Sequence, residues 1–595
     1  MLNTTRQAMH LIGREYRGRW VLLIIIAVIA SAFEMVGAAL VYVLISLVTD
    51  PGGEIEIPVV GDLRTQFAGM DETTVLVGFA IVMVVFFLLR AVVHIGKEYA
   101  QSRIAYNAGA RLSETLAAGY LAMPYAFHLR RNSAGLIRNS YQAVNEVVTQ
   151  VFVPMIRIAA EAILVLVMML FLVLLAPVAT GLAVLVIGGS AVLLTVVVQP
   201  RLKRIGTRAH ALQRETLSIL QQSLHGIRDI KVLGREQAFA REFGRGRKRL
   251  ARTLYLRHTA GELPRDVMET ALIGFILAFF VIAVVTTQGL EGSLSVLGLF
   301  AYAGLRLQPS LKEIIRGLNH LKFASAPIED LDHDLRIVRG VRPADHDRAP
   351  LEFVREWRAD GVEFRYEETT RPALRDINLS IAPGELIGIC GPTGGGKTTL
   401  VDVLTGLLEP TKGQVTVDGL DLREHARRWH ANLGIVPQMV FLTDDTLRRN
   451  IALGVPDADI DDQGVLDAVR QAQLGPFVSS LPDGLDTLVG ERGVRVSGGQ
   501  RQRIAIARAL YHQPQVLVFD EGTSALDNTT EAQLMSDLER LRGDRTIVMV
   551  AHRLSTVRTC DRVVLVEAGR IAGIGTFDEL RATNQAFQRL AATST

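Results

Sequence analysis

The sequence predicts two unlike parts in one chain: an all-α six-helix transmembrane domain, followed by an α/β domain built around a P-loop. Three observations carry this reading. Apolar runs fill residues 20–310 and thin out afterwards, and the mean hydropathy of the 595-residue chain is +0.26. From about Leu351 the composition changes to short β-type runs, turns and helices, the pattern of an α/β layer fold. Residues 391–399 read Gly-Pro-Thr-Gly-Gly-Gly-Lys-Thr-Thr, which fits G-x-x-x-x-G-K-[ST]. The expected division is a membrane domain over 1–325 with long cytoplasmic helical extensions, a linker over 326–350 and a nucleotide-binding domain over 351–595.

About 20 apolar residues suffice for a helix to cross a bilayer. Six runs qualify: Trp20 to about Val48, Thr74 to about His94, Met155–Leu175, Ala179–Val198, Ala271–Thr287 and Ser293 to about Leu311. The first is too long for a signal-peptide core. Basic residues set the orientation. The N-terminal flank carries Arg6, Arg14, Arg17 and Arg19. The segment between spans two and three carries Lys97, Arg103, Arg111, Arg130, Arg131 and Arg138, and 201–257 is richer still. The loop at 50–72 is acidic instead, with Asp50, Glu54, Glu56, Asp62, Asp71 and Glu72 against Arg64. The N-terminus and the nucleotide part are therefore expected on the cytoplasmic side, in a bacterial-type inner membrane.

The two cytoplasmic connections show apolar residues at helical spacing, as in Leu212, Leu217, Ile219 and Leu220. They read as membrane helices continuing into the cytoplasm, with short turns at Phe127–Ser133 and Ile227–Leu233 placed to touch a soluble domain; a pair of solvated basic helices is the alternative. Net charge is only +3, which argues for no nucleic-acid partner. The only cysteines, Cys390 and Cys560, both fall in the nucleotide part, as expected of a reducing compartment without disulfides.

The motifs of the second part come in a fixed order. In the phosphate loop, Gly391, Gly394, Gly395 and Gly396 let backbone N–H groups close around phosphate oxygens, because no Cβ blocks the approach. Thr393 and Thr399 belong to the same cradle. Lys397 can reach the β- and γ-phosphates, and the Thr398 hydroxyl can ligate Mg²⁺. The cofactors expected are ATP and Mg²⁺. Tyr366, before a polar turn, either stacks on an adenine ring or is an ordinary half-exposed strand aromatic. Gln438 offers an oxygen to Mg²⁺ or the attacking water. Ser497-Gly498-Gly499-Gln500 precedes a helix whose N-terminus can take a γ-phosphate. The run Val516–Glu521 is a buried-type strand ending in two carboxylates: Asp520 to hold Mg²⁺, Glu521 to polarise water. His552 follows the apolar run Ile547–Val550, and ligands gather at the carboxyl ends of parallel strands.

This ordered set resembles an ATP-binding cassette. Tyr366 matches the adenine-stacking loop, 391–399 Walker A, Gln438 the Q-loop, Ser497–Gln500 the signature, Phe519–Glu521 Walker B, Ser524–Asp527 the D-loop and His552 the switch histidine. Thr487–Gly493 resembles a loop specific to exporters. With the six spans, the resemblance is to fused exporter-type half-transporters. It implies that ATP hydrolysis drives transport, that each signature completes the nucleotide site of an opposite subunit, and that the chain forms a homodimer with two competent sites. Val496 replaces the usual Leu before the signature, and Gly522 the usual Ala after the glutamate.

Charged residues in spans are functional hypotheses by default, because desolvating them is costly. Arg90 ends the apolar core of span two, Arg265 precedes span five and Arg306 sits in span six. Facing a cavity, they would form a cationic lining for an anionic head group; the alternative is that each pairs with a local acid such as Glu34, Glu161 or Glu269. Leu263–Thr270 and Tyr302–Pro309 resemble flippases of lipid-linked oligosaccharides, which implies a pyrophosphate-linked glycolipid cargo. A membrane-lying helix at Leu63–Ala68 would also fit that group. A general lipid, drug or peptide exporter is the other reading.

Overall fold

Six long helical stretches stand where the apolar runs predict them. The computed structural model describes residues 7, 11, 17–49, 56–57, 61–62, 72–197, 199–286, 291–323, 325–340, 349–367, 369–490, 496–520, 543–551 and 553–593. Helix α1 is Arg17–Thr49 and α2 is Glu72–Ala122. The third stretch begins at Ser133, passes through π turns at Arg138–Ala143 and Val148–Phe152, and ends in α4, Val153–Leu175. The short helix between them is α3, Tyr125–Arg130. The fourth comprises α5 (Pro177–Ala183), a π turn, α6 (Gly189–Val197) and α7 (Gln199–His225). After α8 (Ile227–Leu233) come α9, Glu236–Thr286, and α10, Glu291–Phe323.

Gly18–Val48, Thr73–Ala122 and Gly135–Leu175 are each long and apolar enough to cross a membrane, and Pro177–Gly188 is a shorter apolar helix. The fifth and sixth predicted spans lie inside α9 and α10, beside charged stretches of the same helices. Helices α2 and α9 have 51 residues each. At 1.5 Å per residue each is about 75 Å long, more than twice a hydrocarbon core of about 30 Å. A single helix therefore serves both as span and as extension beyond it. The suggested membrane-lying helix at 63–68 falls outside the described residues.

Two connections expected as turns are short helices. Gly226 and Gly234 bracket α8, and Gly234 closes it in the left-handed conformation at φ 61. Pro124, fixed near φ −56, starts α3. The expected linker also differs. Most of it is helix α11, Ser325–Gly340, because Ile328, Leu331, Leu335 and Val338 recur at helical spacing and are buried. Asp334 on its inner side accepts from Tyr120 Oη at 2.6 Å and Asn139 Nδ2 at 2.8 Å.

The chain divides into two compact units. One is Met1–Leu121 with Ser133–Val341; the other is Ala122–Asn132 with Arg342–Thr595. The first has a core of Ala38 from α1, Leu164, Met168 and Leu172 from α4, Phe275 from α9, and Leu299, Phe300 and Ala303 from α10. Glycines on α10 permit this closeness: a Cβ at Gly298 would stand 2.0 Å from Ile45, and one at Gly304 2.5 Å from Leu272.

The second unit holds two sheets. The antiparallel one has order β4-β3-β6-β7: β3 is Trp357–Phe364, β4 Leu374–Ile381, β6 Lys412–Val417 and β7 Leu420–Asp421. (Strands β1, Glu56–Ile57, and β2, Gly61–Asp62, form a small hairpin in the first unit.) The other has order β12-β11-β5-β10-β9-β8, with β5 Leu386–Cys390, β8 Leu433–Val436, β9 Val516–Asp520, β10 Thr546–Val550, β11 Arg562–Glu567 and β12 Arg570–Gly575. All its pairings are parallel except β11 with β12. Its central strands are apolar on both faces because both are covered. Val516, Val518 and Val548 face a core shared with Trp357, Ile377, Leu400 and Trp429. Leu517, Phe519 and Met549 face a second core with Ile504 and Ala507.

Candidate functional site

The parallel register sets the motifs on one edge of the sheet. Val550 lies opposite both Ile389 and Asp520, and Val436 lies opposite Phe519. The phosphate loop after β5, Gln438 after β8, Asp520 at the end of β9 and Ala551 after β10 therefore share the carboxyl edge, where ligands bind in such sheets. Glu521, His552, the D-loop at 524–527 and residues 491–495 lie outside the described residues. The strands leading to Glu521 and His552 end at this edge.

The loop wraps its lysine. Lys397 is 5% exposed, and its Nζ donates to Gly391 O at 2.9 Å and Pro392 O at 3.2 Å. Gly391 has φ 149, and a Cβ there would stand 2.0 Å from Val566 O. Gly394 has φ 77 with open space where a Cβ would go, and Gly396 (φ 105) starts α12, Lys397–Leu404. The Gly395 N–H donates to Pro392 O at 3.0 Å, and its carbonyl accepts from Gly569 at 2.9 Å. Thr393 and Thr398 are exposed, while Thr399 is buried. The loop is thus held from below and open on the side where a phosphate would sit. Tyr366 reaches it: its Oη lies 3.1 Å from Thr399 Oγ1 and its ring meets Phe364 edge-on at 4.9 Å. Cys390, directly before the loop, is buried, and burial pushes its thiol up to about 12 against the pull of Lys397. It is an inert packing residue.

The signature residues build a helix cap. Ser497 precedes α13, Gly498–Tyr511; its Oγ accepts from Gln500 N at 3.2 Å, and the Gln500 side chain accepts from Ser497 N at 2.8 Å. This reciprocal box orients the helix N-terminus. Val496, the residue departing from the family pattern, is buried in the second core. Replacing Ser497 with Ala should cost about 1 kcal/mol of local stability through the lost cap. A drop in ATPase far beyond the shift in thermal midpoint would separate phosphate contact from capping. Of the exporter-type loop, Val489 is buried and Thr446 bridges to Leu488.

Two contributors escaped the sequence reading. Asp402, one turn into α12, has its carboxyl pushed up to about 6 by burial and by the charge of Asp520. Tyr125 of α3 has its phenol raised by burial, then by Asp402, Tyr366 and Asp520. Helix α3 is built into this unit: Ala126 packs on the same core as Tyr366, and Arg130 forms an ion pair with Glu367. The sequence signal was the turn at Phe127–Ser133, expected to touch a soluble domain; nothing in the pattern singled out Tyr125 itself. The coupled carboxylates of Asp402 and Asp520 suit a hard divalent cation. Oxygen donors from Thr398, Gln438 and Asp520 fit Mg²⁺, which takes few protein ligands and completes its shell with phosphate and water.

In the first unit, Arg90 and Arg306 converge. Arg90 Nη2 lies 2.8 Å and Arg306 Nη2 2.9 Å from the two carboxylate oxygens of Glu34. The pairing acid is thus one of those weighed from sequence, but it is shared, and two guanidinium charges meet one carboxylate. Arg265 lies on α9, and its side chain is outside the described residues.

Residues 20–308 match the ABC transporter transmembrane region, and residues 374–524 match the ABC transporter model. A relative from Alkalilimnicola ehrlichii is 32% identical over 83% of each chain, and one from Ralstonia nicotianae 32% over 88% of each. The chain belongs to the ABC transporters. Both relatives carry the description ATP-dependent lipid A-core flippase. A Bacillus subtilis relative, 42% identical over 40% of each chain, is described as a candidate multidrug export ATP-binding/permease protein. A bacterial Atm1-family ABC exporter with ATP bound has the same fold, with TM-score 0.76 at 24% identity over 98% of this chain and 100% of that one. This transporter is therefore a membrane protein of the exporter half-transporter type. It binds ATP and couples its hydrolysis to transport, and the half-transporter architecture implies dimerisation.

Proposed function

We propose that the protein flips or exports an amphipathic lipid bearing a phosphorylated, most simply pyrophosphate-linked, glycan head. It would work as a homodimer in a bacterial inner membrane, with its N-terminus and nucleotide-binding domain cytoplasmic. The observation that carries the cargo is the meeting of Arg90 and Arg306 on the single acid Glu34, which leaves positive charge among spanning helices. Guanidinium groups match phosphate oxygens, and two relatives are named for a lipid A-core substrate. Within the cassette, Lys397 and the loop N–H groups hold the phosphates, and Tyr366 stacks on adenine. Thr398, Gln438 and Asp520 hold Mg²⁺. Glu521 polarises water that His552 orients, and Ser497–Gln500 closes the site of the partner copy. ATP binding draws the two cassettes together and turns the cavity outward; hydrolysis resets them.

The test is ATPase activity with a panel of lipid-linked glycans and drugs, repeated with Arg306→Ala. Stimulation by phosphorylated glycolipids should fall at least about tenfold in the variant, as for loss of a close charge pair. Equal stimulation of both proteins, with drugs the better activators, would favour a general drug exporter.

A further inference from the structure

The acid between the two arginines is as informative as the arginines. Glu34 is only 3% exposed and lies on α1, while Arg90 and Arg306 reach it from α2 and α10. Each carboxylate oxygen faces one guanidinium through Nη2 alone. The neighbouring Nε of both arginines is buried and has no hydrogen-bond partner among the described residues; nor has Tyr302 Oη, nor Glu34 Oε2, which meets Arg90 as an ion pair without hydrogen-bond geometry. Tyr302 stands one turn before Arg306 on α10. Its ring meets that of Phe87, and Arg90 lies over the same Phe87 ring, 5.5 Å from its centre. A Cβ on Gly37, one turn from Glu34, would come within 2.9 Å of Tyr302 Oη. The other nearby acid is already satisfied: Glu161 pairs with Lys97 at 3.2 Å and accepts from Ser310 at 2.6 Å. The cluster thus holds two positive charges, one negative charge, and three donors against one acceptor in reserve. Unpaired donors in an apolar setting are costly, and ionisable groups at such depth mark ligand paths.

Resting on the reading of a phosphorylated cargo, we propose that Glu34 is the specificity-determining residue that sets the charge of the head group. It lowers the pair of guanidinium charges from +2 to +1, so that one singly charged phosphate per protomer completes the site. That phosphate accepts from both Nε–H groups and from Tyr302, while Glu34 keeps the two Nη2 atoms. Removing the Glu34 charge moves the preference to doubly charged phosphates, and removing one arginine moves it to neutral heads.

The probes are phosphatidylglycerol (one charge), phosphatidic acid (approaching two) and a neutral glucosyl diacylglycerol, added in dodecyl maltoside, which carries no phosphate. The readout is the concentration giving half of the ATPase stimulation. Wild type should favour phosphatidylglycerol. Glu34→Gln should shift the ratio toward phosphatidic acid by about tenfold, the scale of a close charge pair. The double variant Glu34→Gln with Arg306→Gln, back at +1, should restore the original order, which a merely structural role would not do. Should Glu34→Gln fail to fold, Arg306→Gln alone must lose its preference for charged heads.

A second readout does not depend on cargo: the rise in thermal midpoint caused by inorganic phosphate, with the nucleotide loop saturated by a non-hydrolysable ATP analogue. That rise should be larger in Glu34→Gln than in wild type and absent in the double variant Arg90→Gln with Arg306→Gln. If head-group charge affects ATPase but Glu34→Gln changes neither readout, the role of Glu34 is overturned and the cargo reading stands. If the phosphate-induced rise behaves as expected but no charged lipid outperforms the neutral one, the cargo reading falls and Glu34 keeps its role.

Discussion

The Glu521→Gln protein should bind ATP as tightly as wild type and show almost no steady-state turnover. Glu521 directly follows Asp520, the last residue of β9, whose register with β10 puts it on the ligand edge of the sheet. An amide has the size and shape of the carboxylate but cannot accept the proton that the attacking water sheds. A positioned general base is worth about 10²- to 10⁴-fold in rate, so phosphate release should fall by at least about two orders of magnitude. Binding should survive, because the groups that hold the triphosphate are Lys397 and the loop N–H groups, held by a separate strand and helix. With hydrolysis blocked and both nucleotides retained, the two cassettes of the dimer should stay joined, so ATP should also raise the fraction of closed dimer. Phosphate release and equilibrium titration with a fluorescent ATP analogue check the two halves of this expectation. Unchanged ATPase would remove Glu521 from the mechanism.

The nucleotide site was legible because its chemistry is local. The Gly391–Thr399 loop needs a few residues in fixed order, and the positive φ values at Gly391, Gly394 and Gly396 are the conformations that those glycines permit. Strands β5, β9 and β10 are short, mostly apolar runs, so their burial on both faces could be read without a partner sequence. The six helical stretches were legible from their apolar runs, because a bilayer requires about 20 such residues wherever a helix crosses it. What depended on distant packing was not. The pattern Ile328–Leu331–Leu335–Val338 looked like a linker because the Asp and Arg residues between these apolar positions hide a narrow buried stripe. The contact of the segment at Phe127–Ser133 with a soluble domain was legible, and Arg130 makes it, with Glu367; that the segment is a helix whose Ala126 packs on the cassette core depends on residues more than 200 positions away in sequence. Asp402 looked like any polar helix residue until the fold set it near Asp520. In the membrane part, arginines flagged themselves by their cost in lipid. Which acid they meet, and that both meet the same one, depends on how α1, α2 and α10 pack, and no residue pattern encodes that.

Lys397→Ala should weaken ATP binding by about ten- to a hundredfold, the equivalent of the 1.5–3 kcal/mol that hydrogen bonds to a charged group contribute. Two roles of the side chain have to be separated. The ammonium braces the loop through Gly391 O and Pro392 O, so its loss loosens the cradle itself. With nucleotide present, the same group reaches the β- and γ-phosphates. The brace affects every ligand of the loop alike, whereas the charge acts most where phosphate charge is greatest. ATP affinity should therefore fall several-fold further than ADP affinity. The nucleotide-free thermal midpoint should drop only slightly, because the backbone of the loop is also held from Gly569, and Gly391 fits closely under Val566. Equal losses for ATP and ADP, together with a large fall in the midpoint, would make Lys397 a structural brace and not a phosphate ligand. Unaltered binding of both would remove it from the site. The measurement matters beyond one residue. Each signature loop is expected to act on a γ-phosphate held in the other copy, so a cradle that cannot hold that phosphate also removes the link between the two copies. The variant should then show no ATP-dependent closure at saturating nucleotide, even where binding has been restored by concentration.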